Sequence, residues 1–206
     1  MQLACEALQY SKPTPIQQNT LPHSLRKKDL IALAETGSGK TLAFALPLLQ
    51  QLLSNPSPFF GLILAPAREL VVQIADHLRA LGSRIGLKVA VIIGSMDVKA
   101  QVRALGTAPH VVVGTPGKVL FHMQNTKAFN YNKIRFLALD EADKLLGDDF
   151  AGQLDRIVEA LSPERQTLLF SATMTDRVHK LERAALKDPV KVAVAQKYQT
   201  VDHLTQ

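Results

Sequence analysis

Residues 34–41 read Ala-Glu-Thr-Gly-Ser-Gly-Lys-Thr, and their flanks decide what kind of sheet the chain can build. Before them, Asp29-Leu30-Ile31-Ala32-Leu33-Ala34 is a short apolar run that reads as a buried strand. After them, Leu42-Ala43-Phe44-Ala45-Leu46 and Leu48-Leu49 make an apolar helical stretch. Gly37 and Gly39 let the backbone turn tightly between the two and come close to a bound group. A strand that runs through a glycine turn into a helix is the building unit of an α/β sheet.

The same alternation runs along the chain. Apolar strand-like runs occur at 29–34, 61–65, 88–93, 110–114, 134–139, 167–171 and 190–194. Helical patterns fill 15–21, 40–53, 68–81, 96–105, 116–123, 150–161 and 174–186. Nearly continuous apolar strands separated by helices predict a parallel sheet covered on both faces. Asn55-Pro56-Ser57-Pro58 and Thr107-Ala108-Pro109 are loops. At 206 residues the length suits one domain with a sizeable core.

The 34–41 turn has a chemical consequence. A glycine turn opening a helix aims backbone N–H groups and the helix dipole at an anion. Lys40 can then reach the β and γ phosphates of a nucleotide, and the Thr41 hydroxyl can ligate Mg²⁺. The spacing is that of a phosphate loop, with Ala34 where a first glycine is usual and with Glu35, Thr36, Gly37, Ser38 and Gly39 forming the cradle. A second constellation follows the run 134–139: Asp140-Glu141-Ala142-Asp143. Ligands of open parallel sheets sit at the carboxyl ends of strands. Asp140 is placed to hold Mg²⁺ directly or through water, and Glu141 to orient or deprotonate an attacking water. Standing alone, an Asp-Glu pair there would be an ordinary solvated helix start.

Composition sets outer limits. Lys and Arg exceed Asp and Glu by 24 to 18, a net charge of +6, which suits a polyanionic partner. No apolar run reaches the length of a membrane span. Cys5 is the only cysteine, so no internal disulfide can form, and a reducing intracellular compartment is expected. His23, His77, His110, His122, His179 and His203 show no metal-ligand spacing. Lys12, Arg26, Lys27 and Lys28 read as a solvated basic face.

Taken together the motifs resemble those of the DEAD-box RNA helicases, specifically their first RecA-like domain, over nearly the whole chain. Thr14-Pro15-Ile16-Gln17 resembles the Q motif, Ala34–Thr41 motif I, and Pro66-Ala67-Arg68-Glu69-Leu70 motif Ia. Thr115-Pro116-Gly117-Lys118 resembles motif Ib, Asp140–Asp143 motif II, and Ser171-Ala172-Thr173 motif III. The resemblance extends to members that process ribosomal RNA. It implies a RecA-like three-layer α/β/α fold over 1–195, with a mostly parallel central sheet. It also implies an ATP site in which Thr14 and Gln17 read adenine, the 34–41 loop holds phosphate and Asp143 belongs to the same site. Ser171 and Thr173 would bond the Asp143 carboxylate and couple the site to the rest of the domain. RNA would be held by Pro66, Arg68, Glu69, Gly94, Thr115, Gly117 and Lys118 through backbone contacts that ignore sequence.

Three departures lie on the RNA side: Ala67 for the usual Thr, Lys118 for the usual Arg, and Ser95 after Gly94 for a second glycine. The family's adenine-stacking Phe lies well upstream, a position falling before Met1, so no stacking aromatic is expected here. Nothing after Ser171 resembles the family's later motifs, and 196–206 reads as the start of an interdomain linker. A second RecA-like domain, which supplies arginines to the γ-phosphate, is therefore an expected partner. The expected function is the ATP-binding half of an RNA helicase; the alternative is a nucleotide-gated RNA clamp or scaffold that does not unwind. A monomer in the nucleus or nucleolus rather than the cytoplasm completes the expectation.

Overall fold

The computed structural model describes residues 2–147 and 150–194. The linker expected at 196–206 lies outside them. Strands β1 (Leu30–Leu33), β2 (Gly61–Leu64), β3 (Val89–Ile92), β4 (Val111–Gly114), β5 (Phe136–Leu139), β6 (Gln166–Ser171) and β7 (Val190–Ala193) form one seven-stranded sheet. Their order is β3-β4-β2-β5-β6-β1-β7. Every neighbouring pair is parallel, so the sheet is fully rather than mostly parallel among the described residues.

Burial explains why these runs are strands. Every residue of β2, β4, β5 and β6 is buried. Successive residues serve opposite layers: Leu62 and Leu64 pack in one core cluster, Ile63 in the other. On the Ile63 face lie α2 (Pro15–Ser24), α3 (Lys40–Ser54) and α4 (Arg68–Gly82), through Ile16, Phe44, Leu48, Ile74 and Leu78. On the Leu62 face lie α5 (Val98–Gly106), α6 (Pro116–Asn125), α8 (Ala151–Ala160) and α9 (Asp176–Ala185), through Leu105, Val119, Leu154, Ile157 and Leu181. This is the expected three-layer α/β/α arrangement.

Two helices were not legible in the sequence pattern: α1 (Gln2–Ala7) and α7 (Ala142–Leu145). α9 starts two residues later than the pattern suggested, because the Thr175 hydroxyl accepts the Val178 N–H at 3.3 Å and sets the cap there. Strand ends also retreat. Asp29, read as the start of β1, instead turns its carboxylate onto the backbone N–H of Thr167 at 2.8 Å and of Lys187 at 2.7 Å. Burial raises its pKa, against the pull of those two bonds. Replacing Asp29 by Ala strands both donors, one at the start of β6 and one just before β7. We expect Asp29→Ala to lower unfolding free energy by about 2–4 kcal/mol, measured by urea denaturation. A loss under half of the lower figure would mean that the carboxylate does not tie these strands.

The strand order divides the carboxyl edge of the sheet. β5, β6 and β1 are neighbours and carry motifs II, III and I at their ends. β3, β4 and β2 are neighbours on the other half and end at Gly94, motif Ib and motif Ia.

Candidate functional site

A cleft of about 440 Å³ lies over the ends of β1 and β5. Its lining brings together Thr14, Gln17, Thr36, Gly37, Gly39, Lys40, Thr41, Asp140 and Glu141. Gly37 and Gly39 adopt φ of +83° and +94°, the region side chains disfavour. Gly39 has a second reason to be glycine: a Cβ there would stand 2.6 Å from Gln17 Nε2 and 2.8 Å from Thr14 Oγ1. Gln17, itself buried, donates from Nε2 to the Gly39 carbonyl at 2.9 Å and accepts the Thr14 N–H at 3.0 Å. It clamps the segment before α2 to the turn before α3. The Thr14 hydroxyl is buried without a hydrogen-bond partner at this junction.

Ala34, Glu35 and Ser38 shape the loop and do not line the cleft. The Ala34 N–H donates to the Ser171 carbonyl at 3.0 Å, and its own carbonyl accepts from Lys40 Nζ at 3.1 Å. Neither bond asks for glycine, which accounts for alanine being accommodated there. The Ser38 hydroxyl donates to the Glu35 carbonyl at 2.7 Å.

Lys40 is 6% exposed, and its ammonium lies 3.9 Å from Asp140 Oδ1. Asp140 accepts the Glu141 N–H at 3.0 Å, yet burial raises its pKa, with Lys40 opposing. Neither acid is solvated: Asp140 is 2% and Glu141 8% exposed. Glu141 takes φ 52° and ψ 53°, a left-handed conformation costly for a residue with a Cβ. That backbone turns its carboxylate back towards the loop, where it accepts from Thr36 Oγ1 at 3.3 Å and from Lys144 Nζ at 2.9 Å. The bond to Glu141 raises the Lys144 pKa.

Asp143 makes the expected bond to Thr173 and sits beside the cleft rather than on its wall. Its Oδ2 accepts from the Thr173 hydroxyl at 2.9 Å and the Thr173 N–H at 3.1 Å. Ser171 bonds the backbone and not the Asp143 carboxylate: its hydroxyl accepts the Asp143 N–H at 3.3 Å and donates to the Thr173 carbonyl at 2.8 Å. Motifs II and III are thus joined by three hydrogen bonds beside the cleft.

Other cleft residues were missed in the sequence. Tyr10 and Lys12 line it from the segment before Thr14, and Leu70, Gln73 and His77 line it from one side of α4. Tyr10 is 37% exposed, so an aromatic face is available where none was expected. Lys12, which the sequence pattern assigns to a solvated basic face, is exposed but also lines the cleft.

A separate groove of about 390 Å³ lies over β2, β3 and β4, lined by Pro66, Arg68, Gly94, Thr115, Gly117 and Lys118. α4 begins at Arg68 and α6 at Pro116, so two helix N-termini face this region. A Cβ on Gly94 would sit 3.2 Å from Arg68 Nη2, so the guanidinium lies against bare backbone. Glu69 is exposed in the first turn of α4 and is not among the groove residues. Gln101, not singled out in the sequence, is fully buried and pins the Gly94 turn by donating to the Ile93 and Met96 carbonyls at 3.1 and 2.9 Å. Among the described residues no helix is long and apolar enough to cross a membrane.

A family model described as DEAD/DEAH box helicase matches residues 14–181. The chain is 53% identical over 203 residues to the ATP-dependent rRNA helicase rrp3 of Schizosaccharomyces pombe, which covers 98% of this chain and 44% of that protein. It is 52% identical over 203 residues to the ATP-dependent RNA helicase DDX47 of Drosophila melanogaster, covering 98% of this chain and 40% of that protein. The chain therefore spans less than half the length of these relatives. The crystal structure of a DEAD box protein from the hyperthermophile Methanococcus jannaschii superposes with a TM-score of 0.85 at 34% identity, over 92% of this chain and 52% of that one.

Proposed function

The chain belongs to the DEAD/DEAH box helicase family, and from that premise we propose that it is the ATP-binding half of an ATP-dependent RNA helicase that works on ribosomal RNA. The supporting observation is the convergence of Lys40, Asp140 and Glu141 in one cleft over adjacent parts of the sheet. Phosphate oxygens meet Lys40 and the N–H groups that open α3. Thr41 and Asp140 both line the cleft and offer only oxygen, which fits Mg²⁺. Thr41 and Asp140 would hold the cation together with water and phosphate oxygens. Bound there, the cation would neutralise charge building on the phosphates. Glu141, whose carboxylate accepts from Thr36 and Lys144, would orient the attacking water. The Asp143–Thr173 bonds carry the arrangement to β6.

Adenine is read by the Gln17 amide and the Thr14 hydroxyl, with Tyr10 offering a ring to stack on. ADP is expected to bind more tightly than GDP. Stacking contributes about 1–3 kcal/mol per base, so Tyr10→Ala should weaken ADP by about five- to a hundredfold. Isothermal titration of the chain with both nucleotides tests the reading; equal affinities for ADP and GDP would overturn it.

The groove at Arg68, Thr115, Gly117 and Lys118 grips the phosphate backbone of single-stranded RNA without reading bases. Hydrolysis and strand separation require a second RecA-like domain closing over both sites.

A further inference from the structure

The groove's far wall carries a side chain that phosphate binding does not use. Phe121 lines it together with Phe150 and Gln153. The Phe121 ring is 38% exposed beside cationic and polar side chains. Lys118 Nζ lies 4.9 Å from the ring centroid, and the buried His122 imidazole stands nearly perpendicular to the ring at 5.2 Å and 86°. The ring is thus braced from one side while the Lys118 ammonium covers its face.

We propose that Phe121 is a stacking platform for one unpaired base of the strand held in this groove, an inference that rests on the groove binding RNA backbone. Residues three apart on a helix surface are about 5–6 Å from each other. Phe121 is therefore within one helical turn of Lys118 and within reach of the base attached to the phosphate that Lys118 holds. When the ammonium moves from the ring to a phosphate oxygen, the vacated face takes the base. Positive charge interleaved with an aromatic ring is the pattern by which proteins grip single strands. Every base has a π-face, so the platform adds affinity at one nucleotide without imposing a sequence.

The test is fluorescence anisotropy at low salt with a labelled single-stranded RNA decamer and the same decamer made abasic at every position. The chain is compared with Phe121→Leu, Phe121→Tyr and the double variant Arg68→Ala/Lys118→Ala, each first shown to melt like the parent. The parent should bind the abasic decamer about five- to tenfold more weakly than the intact one. Phe121→Leu should bind intact and abasic strands equally, and Phe121→Tyr should restore the difference. Binding that depends on Arg68 and Lys118 but ignores abasic sites overturns the platform alone. So does a loss on the abasic decamer that persists in Phe121→Leu. No binding by the parent, or binding unchanged in the double variant, overturns the groove and the platform together.

Discussion

Phosphate release by residues 1–206 alone is expected to stay at background, with or without RNA, and to rise by about three to five orders of magnitude once a second RecA-like domain is joined to it. The cleft explains the first half. Its cations are Lys40, already bonded to Ala34, and the exposed Lys12; no arginine is among its lining residues. Charge developing on the transferred phosphoryl group therefore meets one buried lysine and the N–H groups of α3. On the proposed reading, an arginine delivered from a closing domain would supply the missing stabilisation, and closure would remove water from the site. Steady-state release should be measured at equal concentrations of the chain and the two-domain protein, each with and without single-stranded RNA. Similar rates from the two would show that this domain holds a complete active site.

In the two-domain protein, Glu141→Gln should retain ATP binding and lose about two to four orders of magnitude in turnover. The amide is the same size, and its oxygen can still accept from Thr36 or Lys144, so the left-handed turn at residue 141 survives. What disappears is the carboxylate proposed to draw a proton from water. Hydrolysis at the parent rate would remove Glu141 from that role. Lys40→Ala is expected to act on the other quantity, weakening ADP by about ten- to a hundredfold through loss of a charge-assisted contact. It also strips Asp140 of the cation that offsets its burial, so the Asp140 pKa should climb further. Melting curves recorded beside the titrations separate lost affinity from lost fold.

Much of this site was legible because its residues are set by spacing along the chain. A glycine turn between a strand and a helix places Lys40 and Thr41 wherever the strand lies, and Asp140 inherits its place from β5. Tyr10, Gln73 and His77 have no such local warrant. They reach the cleft because α1, α3 and α4 pack beside one another, a long-range outcome that periodicity does not encode. α1 has only six residues, and α7 has four, too few to show a helical repeat. Gln101 illustrates a further limit: one buried amide reaching back to Ile93 and Met96 looks, in sequence, like any polar residue on a helix. The family pattern tied Asp143 to Thr173 as the structure does, but Ser171 bonds the Asp143 N–H rather than its carboxylate, because the Thr173 hydroxyl and amide already occupy that oxygen.

α4 touches both sites. Its first residue, Arg68, belongs to the groove, while Leu70, Gln73 and His77 along its flank belong to the cleft. The helix is one stiff part shared by two recognition surfaces, so the surfaces are not modular. A chimera that borrows a relative's groove by exchanging the Pro66–Leu70 segment would also replace part of the cleft wall. A graft that stops short of Leu70 would set the new arginine on the old helix's axis. Swapping specificity at either surface therefore means transplanting all of α4 with the helix and strand faces that seat it.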